Sequence, residues 1–469
     1  MSASSSSSGS RHRPVRPHGW VGATLSAWAG WPLRRLLLSL LQRLSIGTLT
    51  VELPGGERIE GRGAGPGPQA SISLHRWRPL WRLLLRGDIG LAESYRDGDW
   101  SSPDLPALLD LGLRNEAGWG RALDASWPAR WLGRLLHFGN ANTRRGSRQN
   151  IAFHYDLGNA FYALWLDPEL IYSSALYAQG DESLEQAQAL KLARIVGLLD
   201  LEENAKVLEI GCGWGALALA LARRPGVQVT GLTLSAQQLT HARRRASELG
   251  LEAWVDLRLQ DYRDVEGQYD RIVSIEMLEA VGERYWPRYF ETLRQRLRPG
   301  GTAVVQVITI ADEHFDRYRS QADFIQHFIF PGGMLPSFAA MQSQARRAGL
   351  SLRKDLCFGE SYASTLAEWR HRFLQAWPQV AALGFDASFR RLWEYYLCYC
   401  EAGFRSGRVD VGLYTLAHAE QPPIEPSLPD TTPRASVRVR RAGRPRIRPA
   451  PGYTHQRAEM VVRRPNPRT

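Results

Sequence analysis

The sequence predicts an α/β fold: a doubly wound, mainly parallel sheet preceded by a small α+β unit. Three observations lead to it. From Gln149 onward, short apolar runs of strand length alternate with helix-length segments, the pattern of a sheet covered by helices on both faces. One run leads directly into "GCGWG", with glycine at 211, 213 and 215, and such a tight strand-to-helix turn belongs to sheets of this kind. Upstream, residues 46–74 hold strand-like stretches around Pro54-Gly55-Gly56. A chain of 469 residues, 44% of them hydrophobic, has room for two or three domains.

In chain order, residues 1–45 read as a basic N-terminal tail and an amphipathic helix. Met1 to Arg16 is Ser-rich and then basic. The apolar stretch after it is split by Pro32, Arg34 and Arg35, which argues against a secretory signal or a bilayer span. Beyond Pro32, Leu33, Leu36, Leu37, Leu40, Leu41 and Leu44 share one helical face. Such a helix either rests in a membrane interface or packs on its own domain. Residues 46–117 read as a compact α+β domain, with a hairpin in "GTLTVELPGGERIEGR", a strand in "ASISLHRW", then helix and loops. Residues 118–148 form a Trp- and Arg-rich linker.

The main α/β domain occupies residues 149–420. A helix ends near Leu199, a strand begins at Val207, and a helix follows. Next come the strand "VQVTGLTLS", the helix "AQQLTHARRRASELG" and the strands "VDLRLQD" and "YDRIVSIEM". After another helix, "LRPGG" turns into the strand "GTAVVQVITI", and "VDVGLYTLAH" is the last strand. Ala311 to Ser337 interrupts this order with Phe315, Tyr318, Phe324, Phe328 and Phe330. It reads as an insertion covering a substrate site.

Residues 421–469 contain 11 Arg, 3 acids and 10 Pro, and carry +8 of the formal net charge of +12. They read as a basic disordered tail, either solvated or in contact with anionic headgroups or nucleic acid. The 4 Cys, at 212, 357, 398 and 400, are too few for a disulfide scaffold, which favours a reducing cytoplasm. They complete no zinc set, so no metal is expected.

The glycine turn carries the first chemical signal. G-x-G-x-G is tighter than the G-x-G-x-x-G of dinucleotide sites, and Glu209 stands two positions before it. That arrangement suits a ligand with no pyrophosphate, and S-adenosylmethionine fits. The alternative is a plain strand-to-helix turn.

Six blocks then occur in order: "NIAFHYDLGNAFYALWLDPELIYSSALY", "EIGCGWGALA", "GLTLSAQQ", "YDRIVSIEMLEAVG", "FIFPGGMLPS" and "YYLCYCEAGFRSGRVDVG". Together, over roughly Asn150 to His418, they resemble the cyclopropane-fatty-acyl-phospholipid synthase family, which includes the mycolic-acid cyclopropane synthases. The resemblance implies a Rossmann-like class I methyltransferase domain, and residues 46–117 resemble a sterol-carrier-like lipid-binding module. It implies transfer of a carbon from S-adenosylmethionine to the double bond of an unsaturated acyl chain of a phospholipid, closing a cyclopropane. A methylene- or methyl-branched product, or a degenerate lipid-binding protein, is the alternative. It also implies a cytoplasmic protein peripheral at the inner membrane face, with no nucleic-acid partner and with oligomerisation left open.

By the same resemblance, a bound bicarbonate is the base, surrounded by Ser174, Glu279, Gln306, Ile308 and Tyr362. Ser174 stands where ring-forming members have Cys, and Gln306 where they have His. Cys400 matches a cysteine of the family's late helix, as a weak nucleophile candidate or an inert thiol. Gly211, Gly213 and Gly215 face the amino-acid end of the cofactor. Thr233, Ser235, Gln237 and Gln238 take its ribose-side contacts, Tyr262 stacks near adenine, and Tyr172 and Ser173 match further contacts. His154, Tyr155 and Asp156 either close over the site or serve the fold. Glu276, three residues before Glu279, shares its helical face if a helix begins there.

Overall fold

The structure, a computed structural model, describes residues 33–123, 157–320 and 322–419. The N-terminal tail, most of the expected linker, His154-Tyr155-Asp156 and the basic C-terminal tail lie outside the described residues.

Residues 33–42 are helical, and Leu33, Leu37, Leu40, Leu41 and Leu44 are all buried. Their face is turned into the protein, so the reading in which this helix packs on its own domain holds and the membrane-interface reading does not. The helix lies on a four-stranded sheet of order β2-β1-β3-β4, formed by β1 (Ile46–Glu52), β2 (Arg58–Arg62), β3 (Gly65–Leu74) and β4 (Trp100–Ser101). Contact is close enough that a Cβ at Gly61 would stand 2.8 Å from Leu41. β1 and β2 form the expected antiparallel hairpin, with Leu49 opposite Gly61, and β3 runs parallel to β1.

Two helices complete this part. Arg78–Arg96 is kinked at Gly87, where φ is 60° and ψ −139°, a conformation closed to residues with a Cβ. Leu105–Arg114 starts at Asp104, whose side chain accepts from Ala107 N. Both pack against the late helix Ala387–Arg405. The Tyr95 ring packs at a tilt against Trp100 at 4.7 Å and Tyr395 at 5.6 Å, Tyr95 OH donates to Glu394 at 3.1 Å, and Arg391 donates to the Arg96 carbonyl at 2.7 Å. Residues 46–117 therefore have their own sheet but share one hydrophobic core with the main domain.

The main sheet has seven strands in the order β10-β11-β9-β8-β5-β6-β7. They are β5 (Lys206–Ile210), β6 (Gln228–Thr233), β7 (Val255–Leu259), β8 (Tyr269–Ile275), β9 (Leu297–Ile310), β10 (Leu350–Cys357) and β11 (Val409–His418). The first five are parallel, whereas β11 runs antiparallel to both β9 and β10. β10 was not legible in the sequence: "LSLRKDLC" is an edge strand with little burial and several charges. "LRPGG" is absorbed into the start of β9, beside a register shift against β8. The order leaves the C-terminal ends of β5, β6, β7 and β8 along one edge, where doubly wound sheets bind ligands.

Candidate active site

A cavity of about 810 Å³ opens along that edge, within the range of small-molecule sites. Its first wall is the glycine turn. Gly211, Gly213 and Gly215 have φ of 85°, 53° and 92°, all in the region that favours glycine. A Cβ at Gly213 would meet nothing within 4 Å, while one at Gly215 would stand 2.9 Å from Ala242. The first is an open cradle and the second lets the helix Ala216–Ala222 pack closely. Glu209 is buried at the end of β5, and its Oε2 has no hydrogen-bond partner. Burial pushes its carboxyl up to about 8, against the pull of the Lys191 charge.

Lys191 escaped the sequence reading. On the helix Leu184–Leu199 it falls in the buried stripe with Leu184, Ala187, Gln188, Ile195 and Leu199, and a lysine in an apolar stripe was the available signal. Its Nζ donates to Ser173 Oγ at 2.7 Å. Burial brings it down to about 8 despite Glu276, Asp167 and Glu209 nearby. Gln188 of the same stripe donates to the Ser173 carbonyl at 2.9 Å.

The wall beyond β6 and β7 holds Thr233, Gln238, Asp261 and Tyr262. Thr233 Oγ1 donates to Gln238 Oε1 at 2.8 Å. Ser235 and Gln237 stand behind this wall: Ser235 caps the helix Ala236–Glu248, and the Gln237 carbonyl accepts from Asn159 at 3.4 Å. Asp261, also missed from sequence, is buried and paired with Arg263 at 2.6 Å. The ring of Tyr262 meets Tyr289 edge-on at 5.8 Å. Tyr172 OH lies 2.8 Å from Tyr396 OH. An orphaned buried carboxylate, an open glycine cradle and a row of polar side chains fit the amino-acid and nucleoside ends of S-adenosylmethionine.

Next to this wall is a second cluster, built around Glu276. Its Oε1 accepts from Ser174 N at 2.9 Å and from Gln306 Nε2 at 2.7 Å, and its Oε2 accepts from Tyr362 OH at 2.7 Å. Helix Leu278–Val281 starts only after Glu276. Glu276 itself has φ 49°, a left-handed backbone that costs a non-glycine residue roughly 1–2 kcal/mol. The expected helical face shared with Glu279 therefore does not form. The turn instead aims the two carboxylates at different partners.

Glu279 accepts from Ile308 N at 2.5 Å, and its Oε2 is buried without a partner. Burial and the neighbouring Glu276 carboxylate push it up to about 8. Burial also raises Glu276, but Tyr362, Ser174, Lys191 and Gln306 all pull it back. Three donors aimed at two oxygens suit an ionised carboxylate, which only accepts. Ser174 takes part through its backbone, since its hydroxyl donates to the Ala175 carbonyl at 2.9 Å. Tyr362 stacks on Phe404 with centroids 4.4 Å apart. Cys400 also lines the cavity, and burial pushes its thiol well up, away from nucleophilic chemistry.

From the carboxylates the cavity runs on between apolar walls. Ile325, Phe330, Met334 and Leu335 of the aromatic insertion line it, as do Leu37, Leu40 and Leu41 of the N-terminal helix and Val51 and Ile72 of the small sheet. The insertion thus contributes to the cavity wall, through Tyr318 and Phe330 among its aromatics and not through Phe315, Phe324 or Phe328. Among the described residues no group of acidic, His and Cys side chains could hold a metal ion.

A family model described as mycolic acid cyclopropane synthetase matches residues 142–413. The chain is 39% identical over 425 residues to the tuberculostearic acid methyltransferase UfaA1 of Mycobacterium tuberculosis, covering 87% of this chain and 94% of that protein. It is 36% identical over 329 residues to the cyclopropane-fatty-acyl-phospholipid synthase of Escherichia coli K12, covering 69% and 82%. The crystal structure of mycolic acid cyclopropane synthase CmaA1 complexed with SAH and CTAB superposes with a TM-score of 0.54 at 30% identity, covering 57% of this chain and 97% of that one.

Proposed function

Because the chain belongs to the mycolic acid cyclopropane synthetase family of S-adenosylmethionine-dependent methyltransferases, we propose that it adds one carbon to the double bond of an unsaturated phospholipid acyl chain. The observation that carries this reading is the continuity of the cavity: one space is lined by the glycine turn, two buried carboxylates and a broad apolar wall.

When bound, S-adenosylmethionine supplies an electrophilic methyl group. Glu209, Gly211, Gly213, Thr233, Gln238 and Tyr262 are the residues that would hold it, with Tyr172 and Ser173 closing the near side and Gly215 letting the helix behind the turn pack closely. The apolar walls accept an acyl chain and exclude water, which an alkene needs because it is a weak nucleophile. The rings of Tyr362 and Phe404 and the ionised Glu276 supply negative charge and π faces to the positive charge that develops on the chain.

Ring closure to a cyclopropane is the outcome implied by the family. A methylene- or methyl-branched chain is the second reading. It is favoured by the 39% identity to UfaA1, a tuberculostearic acid methyltransferase, over 87% of this chain. Ser174 and Gln306, in place of Cys and His, point the same way. In either case the protein acts as a cytoplasmic enzyme peripheral to the inner membrane face. Among the described residues no helix is long and apolar enough to cross a membrane.

The test is to incubate the full chain with S-adenosylmethionine and vesicles of monounsaturated phospholipid, then read acyl mass and olefinic and cyclopropane protons by NMR. A gain of one carbon with cyclopropane signals means a ring, and one with exocyclic methylene signals, or with a methyl doublet and neither ring nor olefinic protons, means a branch. No change in the acyl chains, with cofactor bound, rejects the acyl-lipid assignment.

A further inference from the structure

The bicarbonate implied by the family resemblance does not fit this site. Its expected donors are occupied: Ser174 N, Gln306 Nε2 and Tyr362 OH all donate to Glu276, and the Ser174 hydroxyl is turned to the Ala175 carbonyl. A carboxylate from the chain itself stands where a small oxyanion would be held. The backbone gives a second, independent indication. Glu276 sits at φ 49°, directly after β8, with its N–H fixed to the Gln306 carbonyl at 2.8 Å. Glycine would take this conformation without strain, so glutamate is kept there for its side chain. Three donors occupy three of the roughly four lone-pair positions of a carboxylate, which leaves one open on a residue that lines the cavity.

We propose that the Glu276 carboxylate is the base that accepts the proton released in the reaction, and that it makes bound bicarbonate unnecessary. The inference rests on the acyl-chain reading above. In that reading, the alkene π pair forms the new bond to the methyl carbon, the carbon–sulfur bond pair stays on sulfur, and the neighbouring alkene carbon becomes cationic. Glu276 then takes a proton from the delivered carbon. The freed C–H pair closes the ring, or, after hydride migration along the chain, forms the exocyclic double bond. Glu279, aimed at Ile308 N and neutral beside Glu276, is a positioning residue for the turn.

The test uses the full chain, wild type and Glu276→Gly, in buffer stripped of carbon dioxide and in buffer with added bicarbonate. Wild-type rates should be the same in both. Glu276→Gly relieves the backbone strain and opens a hole of oxyanion size. It should lose about a hundredfold or more in rate in stripped buffer and recover at least in part with bicarbonate. Its affinity for S-adenosylmethionine, read by calorimetry, should be unchanged. Independently of turnover, carbon-13 bicarbonate should show NMR broadening with Glu276→Gly and none with wild type. If Glu276→Gly folds poorly, Glu276→Gln keeps the shape and should be inactive with or without bicarbonate.

A wild-type enzyme that needs bicarbonate or binds it, or either variant working at the wild-type rate in stripped buffer, overturns the proposal. If wild type modifies no acyl chain at all, the proposed function fails instead, and the bicarbonate-binding arm still decides whether Glu276 fills the oxyanion site.

Discussion

Glu276 and Glu279 are three residues apart, share one enclosed space and face opposite demands. Glu276 is held by three donors, whereas Glu279 has one donor and a charged neighbour. Two like charges this close in a low dielectric split their titrations. Glu279, pushed up from the usual 4.5 to about 8, keeps its proton in the folded chain where the unfolded chain has lost it. The folded state then binds more protons, so this contribution to stability is full below 4.5 and is lost as pH rises through about 8. Glu279→Gln should remove the decline, flattening the unfolding free energy against pH, read by chemical denaturation, by up to about 1.4 kcal/mol per pH unit across that window. An unchanged profile would mean that Glu279 is ionised in the fold. Glu209 makes a separate prediction. If its unpartnered oxygen receives the cofactor's ammonium group, Glu209→Gln should weaken S-adenosylmethionine binding about ten- to hundredfold by calorimetry, with little change in acyl-lipid binding.

At the scale of elements, the kinked helix Arg78–Arg96 stands out. Trp81 and Leu85 are 47% and 58% exposed, and Leu85 lines the mouth of the cavity together with Leu83, Gly87 and Ile89 of the same helix. An exposed apolar pair beside a channel lined with leucine suits entry of an acyl chain from a lipid surface. Changing Trp81 to Glu should lower turnover on vesicles about tenfold or more, an order of magnitude consistent with one large apolar side chain no longer entering the lipid surface. Turnover on detergent-dispersed substrate should be unchanged. Equal loss on both would place Trp81 in folding instead of membrane contact. The N-terminal helix makes the complementary point. Its leucine stripe was legible, but the stripe alone did not say whether lipid or protein would cover it. The close approach of Leu41 to Gly61 decides for protein.

At the scale of the whole molecule, the small sheet and the main sheet are not separable. Tyr95 and Trp100 pack on Tyr395, Arg114 donates to the Arg405 carbonyl at 2.9 Å, and Arg408 pairs with Glu116. The apolar channel crosses the same boundary, so a shift of one part against the other would distort the site. Thermal unfolding of the full chain, followed by calorimetry and by near-UV signals, should therefore give one cooperative transition. Two resolved transitions would mean that the sheets fold independently and that the channel exists only when they dock.

The sequence by itself determined the doubly wound sheet, the glycine turn with Glu209 ahead of it, the aromatic insertion and the family. All of these are written in short stretches, where spacing and periodicity between near neighbours carry the physics. Only the tertiary structure decided how the Glu276 carboxylate is held. Ser174, Glu276, Gln306 and Tyr362 are brought together from four separate elements, and the aim of Glu276 depends on a left-handed backbone that a helical pattern conceals. Lys191 left a trace in the sequence, a lysine in an apolar stripe, but its role is recognised only by Ser173, which another stretch of the chain brings to it.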